Sequence, residues 1–138
     1  MIEKNMLEEY RRELEKSGAK DESLPNIEPK YFKHYVAKEG SFIAETDGMT
    51  VGFILTKAVP FMHGEERVVW MEQVAVLGGF RKEGVGGKLL DAVEDWARRK
   101  KMRMLYTTLN TNNEPSKRLL MSRGFEVRDW RKASKNLT

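Results

Sequence analysis

The chain has 138 residues, 40% of them hydrophobic and 33% charged, with a formal net charge of +4 and no cysteine. This composition excludes a disordered chain, a membrane span, disulfides and cysteine-ligated zinc. It predicts one globular domain over residues 1–138 with a cytoplasmic location and no secretory signal. The mild positive charge permits an anionic ligand, from nucleic acid to a nucleotide-bearing cofactor, but a solvated surface of alternating Lys and Glu also explains it.

The first forty residues predict two helices. Apolar side chains recur on one face of residues 2–17, which is typical of an amphipathic helix. Residues 21–29 hold two prolines among polar side chains and predict a loop. Pro29 then begins a second, short helix that ends at Gly40.

Three strands are predicted next. Residues 41–45 alternate apolar and polar side chains, and an Asp-Gly pair at 47–48 predicts a hairpin turn into a return strand over 50–59. Residues 60–67 are interpreted as a loop. Residues 68–77 are mostly apolar, so this strand is expected to be buried on both faces.

The remaining chain predicts alternating helices and strands. Two glycines end the apolar strand, and residues 84–99 place apolar side chains on one helical face. A strand over 102–109, a helix from about 112 to Gly124 and a last strand over 125–130 follow. This order of elements predicts an α/β domain with a mixed sheet.

The turn between the apolar strand and the next helix has the properties of an anion-binding site. The first turn of a helix leaves main-chain N–H groups unpaired, and the helix dipole favours negative charge there. Glycines without side chains would let a pyrophosphate approach the backbone, although a turn or packing role also explains them. The glycines are Gly84, Gly86 and Gly87, and the nearby cations are Arg81, Lys82 and Lys88. The spacing fits neither the Walker motif nor the dinucleotide-binding motif.

The pattern Arg81-x-x-Gly84-x-Gly86 after an apolar strand resembles the acyl-CoA pyrophosphate loop of the GNAT N-acetyltransferases. Residues 71–76 resemble the fourth strand of that family, residues 42–55 its second and third strands, and residues 113–125 its second signature. The likeness covers about residues 30–130. It implies a GNAT-like α/β (α+β) fold, with a mixed, mostly antiparallel, twisted sheet flanked by helices on both faces. The family's first strand has no counterpart in this chain.

The resemblance implies an N-acetyltransferase that moves an acetyl group from acetyl-CoA, as co-substrate and without metal, to a primary amine. The acceptor is a small molecule or a protein. By resemblance, the main chain of Val74, Ala75 and Val76 pairs with the pantetheine arm, and the Val74 N–H stabilises the oxyanion. The pyrophosphate-binding residues are Arg81, Lys82, Glu83, Gly84, Val85, Gly86, Gly87 and Lys88. Asn113 and Ser116 would lie near the pantetheine or the thiol, although Asn113 is also a sufficient helix N-cap.

Glu72 is the candidate general base. An amine with a pKa near 10.4 is mostly protonated at neutral pH, so a group must accept its proton before it attacks the thioester. Glu72 interrupts an apolar strand, where a carboxylate is costly unless it is used or paired. The alternatives are that Glu72 faces solvent or orders the substrate amine.

Besides the missing first strand, the chain departs from the family pattern in two places. Leu120 stands where the family often has a tyrosine that protonates the leaving thiolate, so the general acid stays open among Ser116, Tyr106 and a water. The last strands are also short, and a second copy in a homodimer would complete that open sheet edge.

Two other functions compete with the enzyme. The Leu120 departure and the missing first strand suggest a non-catalytic acyl-CoA-binding or sensor module of the same fold. The basic run at residues 98–101 suggests a nucleic-acid-binding domain, but it lies at a helix C-terminus, where cations are favoured, and no recognition motif accompanies it. His34 and His63 show no metal-ligand spacing, and His63 lies either in a surface loop or beside an acceptor cleft.

Overall fold

The computed structural model of the protein describes residues 34–35, 39–80 and 83–138. The predicted helix at 2–17 and most of the predicted helix at 29–40 lie outside these ranges. The described elements are β1 (Phe42–Thr46), β2 (Met49–Met62), β3 (Glu65–Val76), a 3-10 turn (Gly78–Phe80), α1 (Val85–Arg99), β4 (Met104–Tyr106) and α2 (Glu114–Ser122). Within these ranges, no helix is long and apolar enough to cross a membrane.

The chain divides into two compact units, Met1–Thr108 and Leu109–Thr138. The first unit contains a four-stranded sheet of order β1-β2-β3-β4. The β1–β2 and β2–β3 pairs are antiparallel, and β4 is parallel to β3, joined to it through α1. This mixed, mostly antiparallel sheet confirms the predicted fold class.

The predicted hairpin turn at Asp47 and Gly48 is confirmed. Both residues have positive φ, 52° and 77°, as a type I′ turn requires. Glycine adopts this conformation without strain, and aspartate is among the residues that tolerate it.

The interpretation of residues 60–67 as a loop is wrong. β2 continues to Met62 and β3 begins at Glu65, so the two strands form one long hairpin. His63 (φ 50°) and Gly64 (φ 79°) make a second two-residue turn. The sequence concealed this turn because a His-Gly pair is a weaker signal than Asp-Gly, although histidine also tolerates positive φ.

Two later strand predictions are also corrected. Only Met104–Tyr106 of the predicted strand at 102–109 is a strand, because β3 pairs with this segment over three residues only. Residues 125–130 form no strand, and the structure shows neither helix nor strand from 125 to 138. Alternating side chains favour a strand, but a strand forms only where a neighbour supplies ladder hydrogen bonds.

The central strand β2 is buried on both faces. Every residue from Val51 to Thr56 is buried. One face belongs to an apolar cluster whose buried members are Tyr35, Val51, Phe53, Leu55, Ala75 and Leu77. The other face carries α1, whose buried side is formed by Gly87, Leu89, Leu90, Val93, Trp96 and Ala97. In β3, Val68 and Val69 are fully buried, so the expected burial on both faces holds at this point of the strand, whereas Glu72 is exposed and Val74 and Val76 are only partly buried.

Gly52 sets how closely α1 approaches the sheet. A Cβ atom at this position would lie 2.8 Å from the Ala75 carbonyl oxygen and 3.3 Å from Val85 Cγ1. Hydrogen is therefore the only side chain that fits between β3 and the start of α1. The same contacts show that the end of β3 and the first residue of α1 meet at Gly52.

We expect Gly52→Ala to lower the free energy of unfolding by about 1–3 kcal/mol, because the new methyl group overpacks a backbone contact. Gly79→Ala is the matched control, since no heavy atom lies within 4 Å of a Cβ there. Urea unfolding followed by circular dichroism measures both variants. Equal stability of the two variants would contradict the close packing of α1.

Candidate active site

One edge of β3 lacks a strand partner over its second half. The β3–β4 ladder ends at the pair Trp70 and Tyr106. The Thr107 hydroxyl then donates a hydrogen bond of 2.8 Å to the Met71 carbonyl oxygen. Beyond this bond β3 continues to Val76, and no described strand pairs with it on the β4 side. The parallel pairing of β3 with β4 therefore stops before the second half of β3.

The direction of the main-chain groups in this half of β3 follows from one hydrogen bond. The Leu77 N–H donates to the Val51 carbonyl oxygen of β2 at 2.8 Å. Because N–H and C=O groups of successive strand residues point to opposite edges, Ala75 also faces β2, whereas Val74 and Val76 face the β4 side. The Val74 N–H thus points to the open edge.

A β-bulge places Glu72 at the start of this open edge. Leu55 and Lys57 lie on the same face of β2, and they are opposite Gln73 and Trp70. Two β3 residues that share a face are normally an even number of positions apart, but these are three apart. Glu72 is the extra residue that accounts for the difference. The bulge inserts the Glu72 carboxylate on the face of β3 that carries Trp70 and Gln73. The apolar residue that lies two positions after Gln73, on the same face, stays in the core.

The Glu72 carboxylate is held by two aromatic side chains. The Tyr35 hydroxyl donates to Glu72 Oε2 at 2.9 Å, and the Trp70 indole Nε1–H donates to the same oxygen at 2.6 Å. Glu72 itself is exposed, whereas Tyr35 is buried. The carboxylate is therefore paired without being buried, so the desolvation expected from its apolar strand does not occur.

The N-terminus of α1 offers unpaired N–H groups. Gly84 is the N-cap with φ 80°, and no side chain caps the helix. The first helical hydrogen bond runs from the Lys88 N–H to the Gly84 carbonyl oxygen at 3.0 Å. The N–H groups of Val85, Gly86 and Gly87 therefore have no helical acceptor, and no acidic side chain lies in the first turn. Such a terminus favours an anion.

Comparison with known proteins assigns the family. Residues 4–125 match the model of the family described as Acetyltransferase (GNAT) family. The chain belongs to the GNAT acetyltransferase family. This membership confirms the predicted family. At the level of the family, it also confirms the predicted class of enzyme, an acyltransferase that uses acetyl-CoA.

Relatives with known activity and structure agree with this assignment. An aminoglycoside N(6')-acetyltransferase type 1 of Salmonella typhimurium is 33% identical over 89 residues, which is 62% of this chain and 61% of that protein. The aminoglycoside N-acetyltransferase AAC(6')-Iy in complex with CoA is 27% identical, with a TM-score of 0.67 over 96% of this chain and 97% of that one. The same enzyme with a bisubstrate analogue, CoA-S-monomethyl-acetylneamine, is 27% identical over 96% and 95%, with a TM-score of 0.68.

The structure places most of the predicted GNAT site residues, and their roles stay predictions. Val74, Ala75 and Val76 lie on the half of β3 whose edge is open, and the glycine turn begins α1. Glu83 and Lys88 are exposed. Arg81 and Lys82 lie outside the described residues. Across the part of the chain that the structure describes, no three His, Asp or Glu side chains gather as a metal site would require.

Asn113 and Ser116 lie in the second unit, at the start of α2. Asn113 is the N-cap, and its side-chain oxygen accepts the Ser116 N–H at 3.2 Å. The N-cap interpretation of Asn113 is thus confirmed, while a contact with pantetheine stays a prediction. Leu120, in place of the expected tyrosine, is buried.

Sequence reasoning missed Tyr35 and Trp70 as partners of Glu72. Trp70 is two residues from Glu72 in the same strand, and the two-residue period of a strand is the signal that brings their side chains to one face. Tyr35 is 37 residues away in sequence, and nothing local indicates its contact.

We expect Asn113→Ala to destabilise α2 by about 1 kcal/mol, because a helix N–H loses its acceptor. Asn113→Asp keeps an acceptor oxygen and places a negative charge at the positive end of the helix dipole, so its stability should stay near that of the wild type. Thermal unfolding followed by circular dichroism at 222 nm compares the three proteins. A loss of stability in both variants would contradict the capping role.

Proposed function

We propose that this GNAT protein is an N-acetyltransferase that transfers the acetyl group of acetyl-CoA to a primary amine. The observation that carries the proposal is the continuity of three features. β3 has an open edge from Glu72 onward, α1 follows it with an uncapped N-terminus, and Gly52 of β2 lets Val85 of α1 pack close to the end of β3. An extended arm that ends in a pyrophosphate needs an edge and an anion site in this order.

The main chain provides both parts of a CoA site. Val74 directs its N–H and C=O groups to the β4 side, where an amide-bearing pantetheine arm can pair with them as an added strand. The pyrophosphate then reaches the N–H groups of Val85, Gly86 and Gly87. The exposed Lys88 adds positive charge, and Arg81 and Lys82 precede the helix in the sequence.

The chemistry requires a proton acceptor and an oxyanion donor. In the overall reaction the acetyl group moves from sulfur to nitrogen, the amine loses a proton and CoA is released as the thiol. Glu72 accepts the amine proton, directly or through a water, and the Val74 N–H donates to the thioester oxygen as negative charge develops on it. Both groups belong to the same stretch of β3, two residues apart.

The buried Leu120 supplies no proton to the departing sulfur. A thiolate is a good leaving group because thiol pKa values are about 8–9, so a water is sufficient to protonate it. The transfer therefore depends on Glu72 and the main chain more than on an acid. The proposed mechanism therefore works with Leu120 at the position where the family often has a tyrosine.

Aminoglycosides are the first acceptors to test. The relatives named above are aminoglycoside N-acetyltransferases, and a CoA-S-monomethyl-acetylneamine analogue occupies one of them. An exposed carboxylate such as Glu72 attracts the ammonium groups of an amino sugar. The chain matches 61% of the length of the Salmonella protein, so the acceptor is part of the proposal and not of the family assignment.

The cofactor half of the proposal is tested by Gly84→Asp, which places a negative charge at the helix N-terminus. We expect about tenfold or greater weakening of acetyl-CoA binding, because the carboxylate competes with the pyrophosphate for the same N–H groups. Gly84→Asn should stay within about threefold of the wild type, since it tolerates positive φ and carries no charge. Isothermal titration calorimetry measures all three proteins.

Gly48→Asp is the control for backbone strain. Gly48 has φ 77°, close to the 80° of Gly84, and nothing lies within 4 Å of a Cβ at either position. Its affinity for acetyl-CoA should equal that of the wild type. Equal affinities for Gly84→Asp and Gly84→Asn, or no binding by the wild type, would contradict the proposed CoA site.

The transfer half is tested by following thiol release with a thiol-reactive dye. The chain has no cysteine, so CoA is the only thiol that the assay detects. We expect release that depends on an added aminoglycoside or simpler primary amine, and a fall of about 100-fold or more in kcat for Glu72→Gln, as for loss of a general base. Tight acetyl-CoA binding without release for any amine would indicate a binding module instead.

A further inference from the structure

The two hydrogen bonds to Glu72 converge on a single oxygen. Tyr35 Oη lies 2.9 Å and Trp70 Nε1 lies 2.6 Å from Oε2. Within the part of the chain that the structure describes, no hydrogen bond reaches the other carboxylate oxygen, Oε1. Because Glu72 is exposed, the protein fixes one oxygen of the carboxylate and presents the other outward.

The fold holds both donors in place from independent elements. Trp70 belongs to β3 and is opposite Lys57 of β2. Tyr35 is only 5% exposed and belongs to the apolar cluster, and its carbonyl oxygen accepts a hydrogen bond of 3.3 Å from Ser41 Oγ. The donors therefore meet Glu72 from the same strand and from a distant segment, which restricts rotation of the carboxylate side chain.

Other side chains make defined contacts around Tyr35. Lys57 Nζ lies 5.8 Å from the centre of the Tyr35 ring, in a cation–π contact. The His34 ring packs edge-on against the same ring at 5.1 Å. Ser41 Oγ in turn accepts the Thr56 N–H at 2.9 Å. The Tyr35 hydroxyl is thus carried on a ring whose position is determined by contacts on its faces and backbone.

We propose that Tyr35 and Trp70 are positioning residues for acetyl transfer. By binding Oε2, they orient the Glu72 carboxylate so that Oε1 alone meets the ammonium group of the acceptor and takes its proton. This inference rests on the proposed function. The inference extends the proposed function by assigning different tasks to the two carboxylate oxygens of Glu72. It also adds Tyr35, which is far from β3 in sequence, to the residues that support the reaction.

A purely structural role makes a different prediction. A buried tyrosine hydroxyl needs an acceptor, and Glu72 satisfies this need for Tyr35 whether or not it reacts. In that case, removing the hydroxyl would affect stability or overall shape, and its effect on rate would be the same with or without the carboxylate. In the positioning role, the effect on rate exists only while the carboxylate is present.

A double-mutant cycle separates the two roles. Tyr35→Phe and Trp70→Phe are each expected to lower kcat/KM for the amine about tenfold, the effect of one charge-assisted hydrogen bond, while KM for acetyl-CoA changes by less than about twofold. In a Glu72→Gln background, the same substitutions should lower kcat/KM by less than about twofold. Trp130→Phe, at an exposed tryptophan, is the control and should match the wild type.

The indole N–H resonances give a readout that does not need turnover. The chain has three tryptophans, so a ¹H–¹⁵N spectrum shows three indole signals, and Trp70→Phe identifies the one from Trp70. A hydrogen bond to a carboxylate moves that proton downfield. We expect the Trp70 signal to move upfield in Glu72→Gln and to shift in Tyr35→Phe, while the other two signals stay in place.

The outcomes for the two proposals are distinct. Acetyl-CoA binding without thiol release by the wild type contradicts the proposed transferase, and the indole spectrum then decides the contact by itself. Suppose that the wild type releases thiol, but Tyr35→Phe and Trp70→Phe lower kcat/KM as much in the Glu72→Gln background as in the wild type. That result overturns the positioning role and leaves the transferase proposal standing. The positioning role is also overturned if the chemical shift of the Trp70 indole N–H does not change in Glu72→Gln.

Discussion

The alternation of side chains and main-chain groups along a strand is the constraint on which the site depends. In β3, one face must supply apolar residues to the core, while one edge must leave its N–H and C=O groups available. A regular strand cannot add Glu72 to the core face and keep Ala75 there as well, because these residues are an odd number of positions apart. The bulge at Glu72 removes this conflict. The ladder to β4 ends at Trp70, two residues before the bulge, and the Thr107 bond to Met71 follows it.

The close approach of α1 is the second requirement. A helix N-terminus favours anions only within a short range, so it must lie directly beyond the open strand edge to bind the end of the same ligand. Gly52 permits this because it lets the carbonyl of Ala75 and the side chain of Val85 meet over β2. Gly84 contributes differently: space around it is open, and its positive φ is what requires glycine. Two glycines thus act through two physical effects, close packing and backbone conformation.

The carboxylate in β3 shows how the cost of a charge is avoided. An ionised group buried without partners is strongly unfavourable, and the surrounding apolar residues suggest such burial for Glu72. The structure instead exposes the side chain and gives one oxygen two donors. The charge keeps its solvent contact, and the carboxylate nevertheless has a defined orientation. A base that must meet an ammonium group from solution needs both properties.

The sequence by itself determined the features that depend on neighbouring residues. The Asp-Gly turn at 47–48, the apolar strand that contains Val68 and Val69, the helix after the glycine turn and the Asn113 cap were all predictable, because each depends on side chains a few positions apart. The GNAT family followed from the spacing of two motifs, and the family model over residues 4–125 confirms it.

Only the tertiary structure decided the features that depend on pairing between distant segments. A strand at 125–130 did not form, and β4 is three residues long, because ladder partners and not local preference determine where strands end. The His63-Gly64 turn emerged from the register of two long strands. The partners of Glu72 were likewise unreadable, since Tyr35 reaches it through packing of the core, and a bulge changes which residues share a face. Local patterns determine elements, whereas contacts across the sheet determine where those elements end and which side chains meet.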